Sequence, residues 1–251
     1  MSETATPQGI DPLEERIRQL TPGDLEKALR VFREHIDHKQ AAYLNSCVRC
    51  GLCADSCHYY LTLEDIQSIP AYKLNLVTAV FKKYFTLGGK TLPGWVGAKK
   101  LEKEMIREWV DSLYGRCSLC GRCAINCSIG LNIPKLIRAA RAALTALGLV
   151  PANLQSTVDA ALAKGNNMGI ARQDWLETAT WIEEELQAEI DDPEAKLPMD
   201  KKGAKYFYTI NPREAMFFPL SISAVAKLFH AAKESWTFSS DYYDVTNYGL
   251  Y

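Results

Sequence analysis

The stretches CVRCGLCADSC at Cys47–Cys57 and CSLCGRCAINC at Cys117–Cys127 decide the reading of this chain. Each is written C-x2-C-x2-C-x3-C. Together they use all eight cysteines of the 251 residues: Cys47, Cys50, Cys53 and Cys57, then Cys117, Cys120, Cys123 and Cys127. Extracellular disulfide frameworks spread their cysteines over a small chain; these are packed into two eleven-residue runs. The N-terminal MSETATPQGIDPLEER also lacks the apolar segment of a secretory signal. Structural zinc closes a tetrahedron with two separated pairs, which leaves the repeated triple-plus-one spacing unexplained, so a zinc-binding interaction module stands as a remote alternative.

The spacing is that of iron–sulfur runs, in which three thiolates on a tight loop meet one cubane and the fourth ligates the other cluster. It predicts two [4Fe–4S] clusters with crossed ligands. Cluster one takes Cys47, Cys50, Cys53 and Cys127; cluster two takes Cys117, Cys120, Cys123 and Cys57. His58 and Ser128 stand where small ferredoxins carry proline after the fourth cysteine. Arg49, Arg116 and Arg122 sit in or beside the two loops, where positive charge would raise a cluster's potential. His58 is a candidate donor to a cluster sulfur.

Fifty-nine residues separate Cys57 from Cys117, far more than the short strands of a compact ferredoxin need. Ala71–Thr86 and Lys99–Leu113 carry apolar side chains at helical spacing, and Gly88–Gly94 reads as a loop between them. Further helices are expected near Asp11–Pro12, from Thr21–Pro22 through Ile36 toward Cys47, and over Ile133–Leu147, Asn153–Lys164 and Gln173–Ile190. Tyr206–Ile210 suits a strand, Asn211–Pro212 a turn, and Ile222–Ala232 a helix. The aromatic tail (Trp236, Phe238, Tyr242, Tyr243, Tyr248, Tyr251) is expected either to pack back or to dock on another protein chain.

The fold class that follows is mainly α: an α-helical ferredoxin with two interleaved Cys motifs and a small strand–helix C-terminal extension. The expected organisation is an N-terminal arm and short helix over 1–20, with Met1–Gly9 disordered. A cluster-binding domain follows over 21–190, then a charged linker over 191–203, and a strand–helix unit with its tail over 204–251. Net charge is −1, which argues against binding nucleic acid or anionic membranes. No apolar run reaches the ~18 residues of a membrane span. No Gly-x-Gly-x-x-Gly fingerprint, nucleophile elbow or carboxylate pair supports a catalytic site.

The paired motifs, about 60 residues apart in helical context, resemble the C-type iron–sulfur subunit of heterodisulfide reductase. The same helical module resembles the iron–sulfur halves of succinate dehydrogenase-type and glycolate oxidase-type enzymes. The C-terminus, KGAKYFYTINPREAMFFPLSISAVAKLFHAAKESWTFSSDYYDVTNYGLY, is similar to the junction of fused relatives linked to dissimilatory sulfite reductase, where a B-like domain follows. That domain carries CCG motifs and a noncubane catalytic cluster; no CCG motif or further cysteine stands here.

The resemblance implies a non-catalytic electron-transfer subunit, relaying single electrons to or from a B-like CCG subunit in sulfur and thiol–disulfide metabolism. It implies a flavin- or iron–sulfur-containing A-like subunit as second partner, as in sulfur-oxidising heterodisulfide-reductase-like complexes. The expected location is cytoplasmic or peripheral to a membrane complex. The alternative is the iron–sulfur subunit of a flavin-linked 2-hydroxyacid oxidase.

Overall fold

The computed structural model describes residues 11–241 and falls into two compact units, divided between Pro151 and Ala152. Among these residues the fold is mainly α, with a single two-stranded sheet. The expected disorder of Met1–Gly9 and the tail residues from Tyr242 onward lie outside the described residues.

In the first unit, α1 (Pro12–Arg18) starts at an Asp11 cap, and α2 (Pro22–Glu34) starts where Thr21 and Asp24 form a reciprocal capping box. Both have proline in the first turn, where its missing N–H costs nothing. The helix expected to run on toward Cys47 breaks instead at His35–Asp37. Asp37 and Gln40 form a second capping box that opens α3 (His38–Ser46), so the chain turns before it reaches the first cysteine.

Two four-residue helices, α4 (Leu52–Asp55) and α10 (Arg122–Ile125), sit inside the cysteine runs and pack on one another. Between them come α5 (His58–Leu63), α6 (Pro70–Phe85), α7 (Leu87–Thr91), α8 (Pro93–Val96) and α9 (Lys103–Trp109). The loop expected at Gly88–Gly94 is thus two short helices. Gly89 makes this possible: a Cβ there would lie 1.9 Å from the Lys82 carbonyl oxygen. The helix expected from Lys99 begins only at Lys103; ahead of it the Leu101 N–H donates to the Tyr84 hydroxyl at 3.1 Å. It then widens into a π-helical stretch over Val110–Gly115.

The first core forms where α11 (Ile133–Ala146) packs on α2 and α6. Phe32, Leu74, Trp109, Leu136 and Ile137 are buried there, with Phe32 edge-on to Trp109 at 5.6 Å between ring centroids.

The second unit holds α12 (Ala152–Lys164), α13 (Arg172–Ile190), α14 (Pro212–Phe217) and α15 (Pro219–Ala231), with β1 (Tyr206–Phe207) and β2 (Trp236–Thr237). The strands pair in parallel, Tyr206 with Trp236 and Phe207 with Thr237. The lone strand expected from the sequence therefore has a partner, and the Asn211–Pro212 turn is the cap of α14.

The boundary expected at residue 190 moves to 151/152 because the apolar face of α13 packs in this second unit, burying Trp175, Ala179, Ile182 and Leu186 with Ile222 and Ala226 of α15. The charged segment 191–203 is no solvated linker: Ala195 and Leu197 are buried, the Leu197 N–H donates to Glu183 at 2.8 Å and Gln187 to the Ala195 carbonyl at 2.9 Å. Trp236 and Phe238, the described part of the aromatic tail, pack inside this core, Trp236 stacked on Phe229 at 4.9 Å. A two-stranded sheet is marginal alone; these rings hold it in place.

Candidate iron–sulfur centre

The two cysteine runs have the same backbone. Arg49 and Gly51 in the first and Leu119 and Gly121 in the second all take positive φ, at 56°, 87°, 55° and 83°. A non-glycine residue in that region costs about 1–2 kcal/mol, so matching strain at Arg49 and Leu119 marks a loop shape required in both copies. The alternating left-handed residues curl each run around its own three thiols, and α4 or α10 then carries the chain one turn on to the fourth cysteine.

Because α4 and α10 pack together, the fourth cysteines change sides. Cys47, Cys50 and Cys53 line one hollow with Cys127. Cys117, Cys120 and Cys123 line a second with Cys57. The exchange is also visible in the Cys50 thiol, 3.9 Å from the hydroxyl of Ser128, the neighbour of Cys127. All eight cysteines are free thiols, with Cys50 and Cys120 exposed and Cys53 buried.

The donor set fits a cubane. Among the described residues no three Cys, His, Asp or Glu side chains gather closely enough to hold a single metal ion. A tetrahedral zinc with Zn–S bonds of ~2.3 Å would draw its thiolates to within ~3.8 Å of each other. A cubane takes one thiolate at each of four separate corners, which spreads them round a hollow. The Cys57 thiol donates to the Ser68 carbonyl at 3.4 Å.

Electrostatics distinguish the two hollows. Burial pushes the Cys53 thiol upward, against a hydrogen bond from the Ala71 backbone at the start of α6. Cys123 is pushed up to about 12, first by burial and then by Cys117, Cys120, Cys53 and Cys57. Four thiolates in one half-buried space repel each other unless a cationic core compensates them, so their protons leave as metal enters.

Of the charges expected to matter, Arg49 and Arg122 are both exposed. Arg116 is paired with both Asp65 and Asp111, so its charge is largely offset. His58 lies tilted against Tyr59, 4.6 Å between ring centroids, and both line the second hollow.

The cation that sequence reasoning missed is Lys73, which lines the second hollow and is 1% exposed. Its ammonium donates to the Ser68 carbonyl at 2.9 Å and to the Arg116 carbonyl. Burial pulls its pKa down; the nearby Cys117, Cys57 and Cys123 oppose that. Arg141 is a second buried cation, donating to the Leu113 carbonyl at 2.9 Å and to the Cys117 carbonyl. It satisfies carbonyls at the end of the π-helical stretch, which have no helical partner, and fixes the backbone of the first ligand. Lys73 and Val77, like Ile137 and Arg141, stand four apart on an apolar stripe. A basic residue inside such a stripe was the available signal.

Residues 43–131 match the 4Fe-4S dicluster domain, which indicates iron–sulfur clusters. The chain is similar to the Hdr-like menaquinol oxidoreductase iron-sulfur subunit of Archaeoglobus profundus, 35% identical over 147 residues, covering 58% of this chain and 26% of the relative. It is similar to iron-sulfur subunit 2 of the Hdr-like menaquinol oxidoreductase of Archaeoglobus fulgidus, 34% identical over 51% of this chain and 23% of the relative. It is also 25% identical to the D-type subunit of the dihydromethanophenazine:CoB–CoM heterodisulfide reductase of Methanosarcina barkeri, over 60% of this chain and 35% of that one. The chain thus spans about a quarter of the length of the Archaeoglobus relatives. No solved structure matches it.

Proposed function

We propose that this chain, an iron–sulfur protein similar to the heterodisulfide-reductase family of subunits, relays single electrons through two [4Fe–4S] clusters. The relay runs to or from a B-like, CCG-motif catalytic subunit in cytoplasmic sulfur and thiol–disulfide metabolism. An A-like flavin or iron–sulfur subunit serves its other side. The single observation that carries the reading is the exchange of fourth cysteines, which gathers four thiols round each of two adjacent hollows.

Bound there, the clusters would supply one-electron redox chemistry at potentials set by their surroundings. The chain's own residues hold and bias them. Cys47, Cys50, Cys53 and Cys127 would hold one, and Cys117, Cys120, Cys123 and Cys57 the other. The Ala71 amide donates toward Cys53, and Lys73 sets positive charge on the second hollow alone. The exposed Cys50 and Cys120 lie at the open edges, which suits electron exchange with partners. Phe207, Phe217, Phe218 and Leu220 are exposed on the second unit and are our candidates for the partner-facing surface.

Iron and acid-labile sulfide per chain, with EPR of the dithionite-reduced protein purified without oxygen, test this. About eight of each and magnetically coupled signals are expected. Zinc without sulfide would overturn the reading.

A further inference from the structure

Residues 66–101 contain six lysines, at 73, 82, 83, 90, 99 and 100, and no Asp, Glu or Arg. The rest of the chain therefore carries a net charge of −7 to leave −1 overall. The near-zero total hides a strong local asymmetry. Only Lys73 of the six is buried; Lys90, Lys99 and Lys100 are exposed and Lys82 and Lys83 half-buried. Among the described residues, none of these five appears in an ion pair with a carboxylate. The nearest acidic residues along the chain are Asp65 on one side and Glu102 and Glu104 on the other.

Around α7 and α8 this segment exposes three large apolar side chains: Trp95 at 90%, Leu87 at 84% and Leu92 at 64%. They stand on α7, α8 and the joint between them, and that projection is rigidly built. Gly89 lets α7 lie against the Lys82 carbonyl, and the Gly88 backbone lies against Val96 of α8. Lys82 donates to the Val96 carbonyl at 3.4 Å, and the Lys99 N–H to the Ala79 carbonyl at 3.0 Å. An indole held out in water on a fixed scaffold gains nothing for the fold.

We propose that the α7–α8 projection is a membrane-surface anchor that seats Trp95, Leu87 and Leu92 in the interface of an anionic bilayer, with Lys82, Lys83, Lys90, Lys99 and Lys100 against the lipid headgroups. Tryptophan favours the headgroup level of bilayers, and apolar side chains ringed by lysines are the pattern of interfacial anchors. Juxtamembrane lysines draw such surfaces to anionic lipid and lose that attraction in salt. Among the described residues no helix is long and apolar enough to cross a membrane, so the contact is at the surface. The geometry also serves the clusters. The projection follows the C-terminal end of the 16-residue α6, whose N-terminal residues Pro70, Ala71 and Lys73 line the cysteine hollows. At 1.5 Å per residue Lys82, which holds the projection, stands about 14 Å along the helix from Lys73. The inference stands apart from the identity of the redox partners.

The test is flotation of the anaerobically purified full chain with phosphatidylglycerol–phosphatidylcholine vesicles and with phosphatidylcholine vesicles alone. The protein is expected to float with the anionic vesicles at low salt and to be released by high salt. Trp95→Ala and the triple variant Lys90→Glu/Lys99→Glu/Lys100→Glu should each reduce the bound fraction more than roughly tenfold, with iron content and EPR unchanged. No flotation of the wild-type chain, equal flotation on both vesicle types, or wild-type flotation of the triple variant overturns the proposal. Loss of an acidic protein partner in the triple variant, without vesicle binding by the wild type, would assign the patch to a protein interface instead and equally overturn it.

Discussion

The Cys50 thiol lies 3.9 Å from the Ser128 hydroxyl, although 78 positions separate them in the chain. The contact ties the first cysteine run to the residue that follows the second, and it sets which cysteines should fail together. Cys50→Ser combined with Cys127→Ser should remove one cluster, leaving about four iron per chain. Cys50→Ser combined with Cys57→Ser should damage both. Iron and sulfide analysis of the two double variants separates crossed from uncrossed ligation: the reverse pattern means that each run serves its own cluster.

Lys73 biases one hollow and not the other. A unit charge about 8 Å away at an effective dielectric near 20 is worth about 2 kcal/mol, on the order of 90 mV for one electron. Lys73→Met should therefore lower one midpoint potential by an amount of that order and leave the other nearly in place. Lys73→Arg, which keeps the charge, should restore most of the difference. Redox titration followed by EPR reads both; equal movement of the two clusters would rule out a local electrostatic role.

The raised thiols of Cys53 and Cys123 make assembly pH-dependent. In the apoprotein both hold their protons at neutral pH, and metal binding must expel them. Reconstitution at about pH 8.5 should incorporate more iron than at about pH 6.5. Apoprotein stability has the opposite sign. A folded-state pKa raised to about 12 at Cys123 means that the unfolded chain, with a thiol value of about 8.5, loses its proton first. The fold is at full strength below the unfolded value and weakens as pH rises from there through about 12. Denaturant melts of the apoprotein across this range check the slope, and faster alkylation of the exposed Cys50 and Cys120 than of Cys53 and Cys123 checks the ordering.

Trp175 is 1% exposed and edge-on to Phe238 at 5.4 Å in the second core. Trp175→Ala should cost about 3–5 kcal/mol there while cluster absorbance stays at the wild-type level, because all eight cysteines belong to the first unit. Calorimetry beside visible absorbance measures the two separately. Loss of cluster colour in this variant would mean that the units unfold as one.

The sequence by itself determined the cysteine pattern and most of the longer helices. Ligand identity is carried by residue type and spacing, and the caps at Thr21, Asn132 and Asn211 are local motifs whose hydrogen bonds close within three residues. Only the tertiary structure decided how α13 is shared out, that 191–203 is pinned by Leu197 and Ala195, and that Trp236–Thr237 pairs with β1. Short parallel pairing and the burial of two residues in a charged segment leave no periodicity to read; they are settled by what packs on them. Lys73 belongs to the same class. Its one local sign was a lysine on an apolar stripe, and its role exists only because α6 begins where the two cysteine runs cross. A buried charge takes its meaning from the groups around it, and those arrive from 43 residues further along the chain.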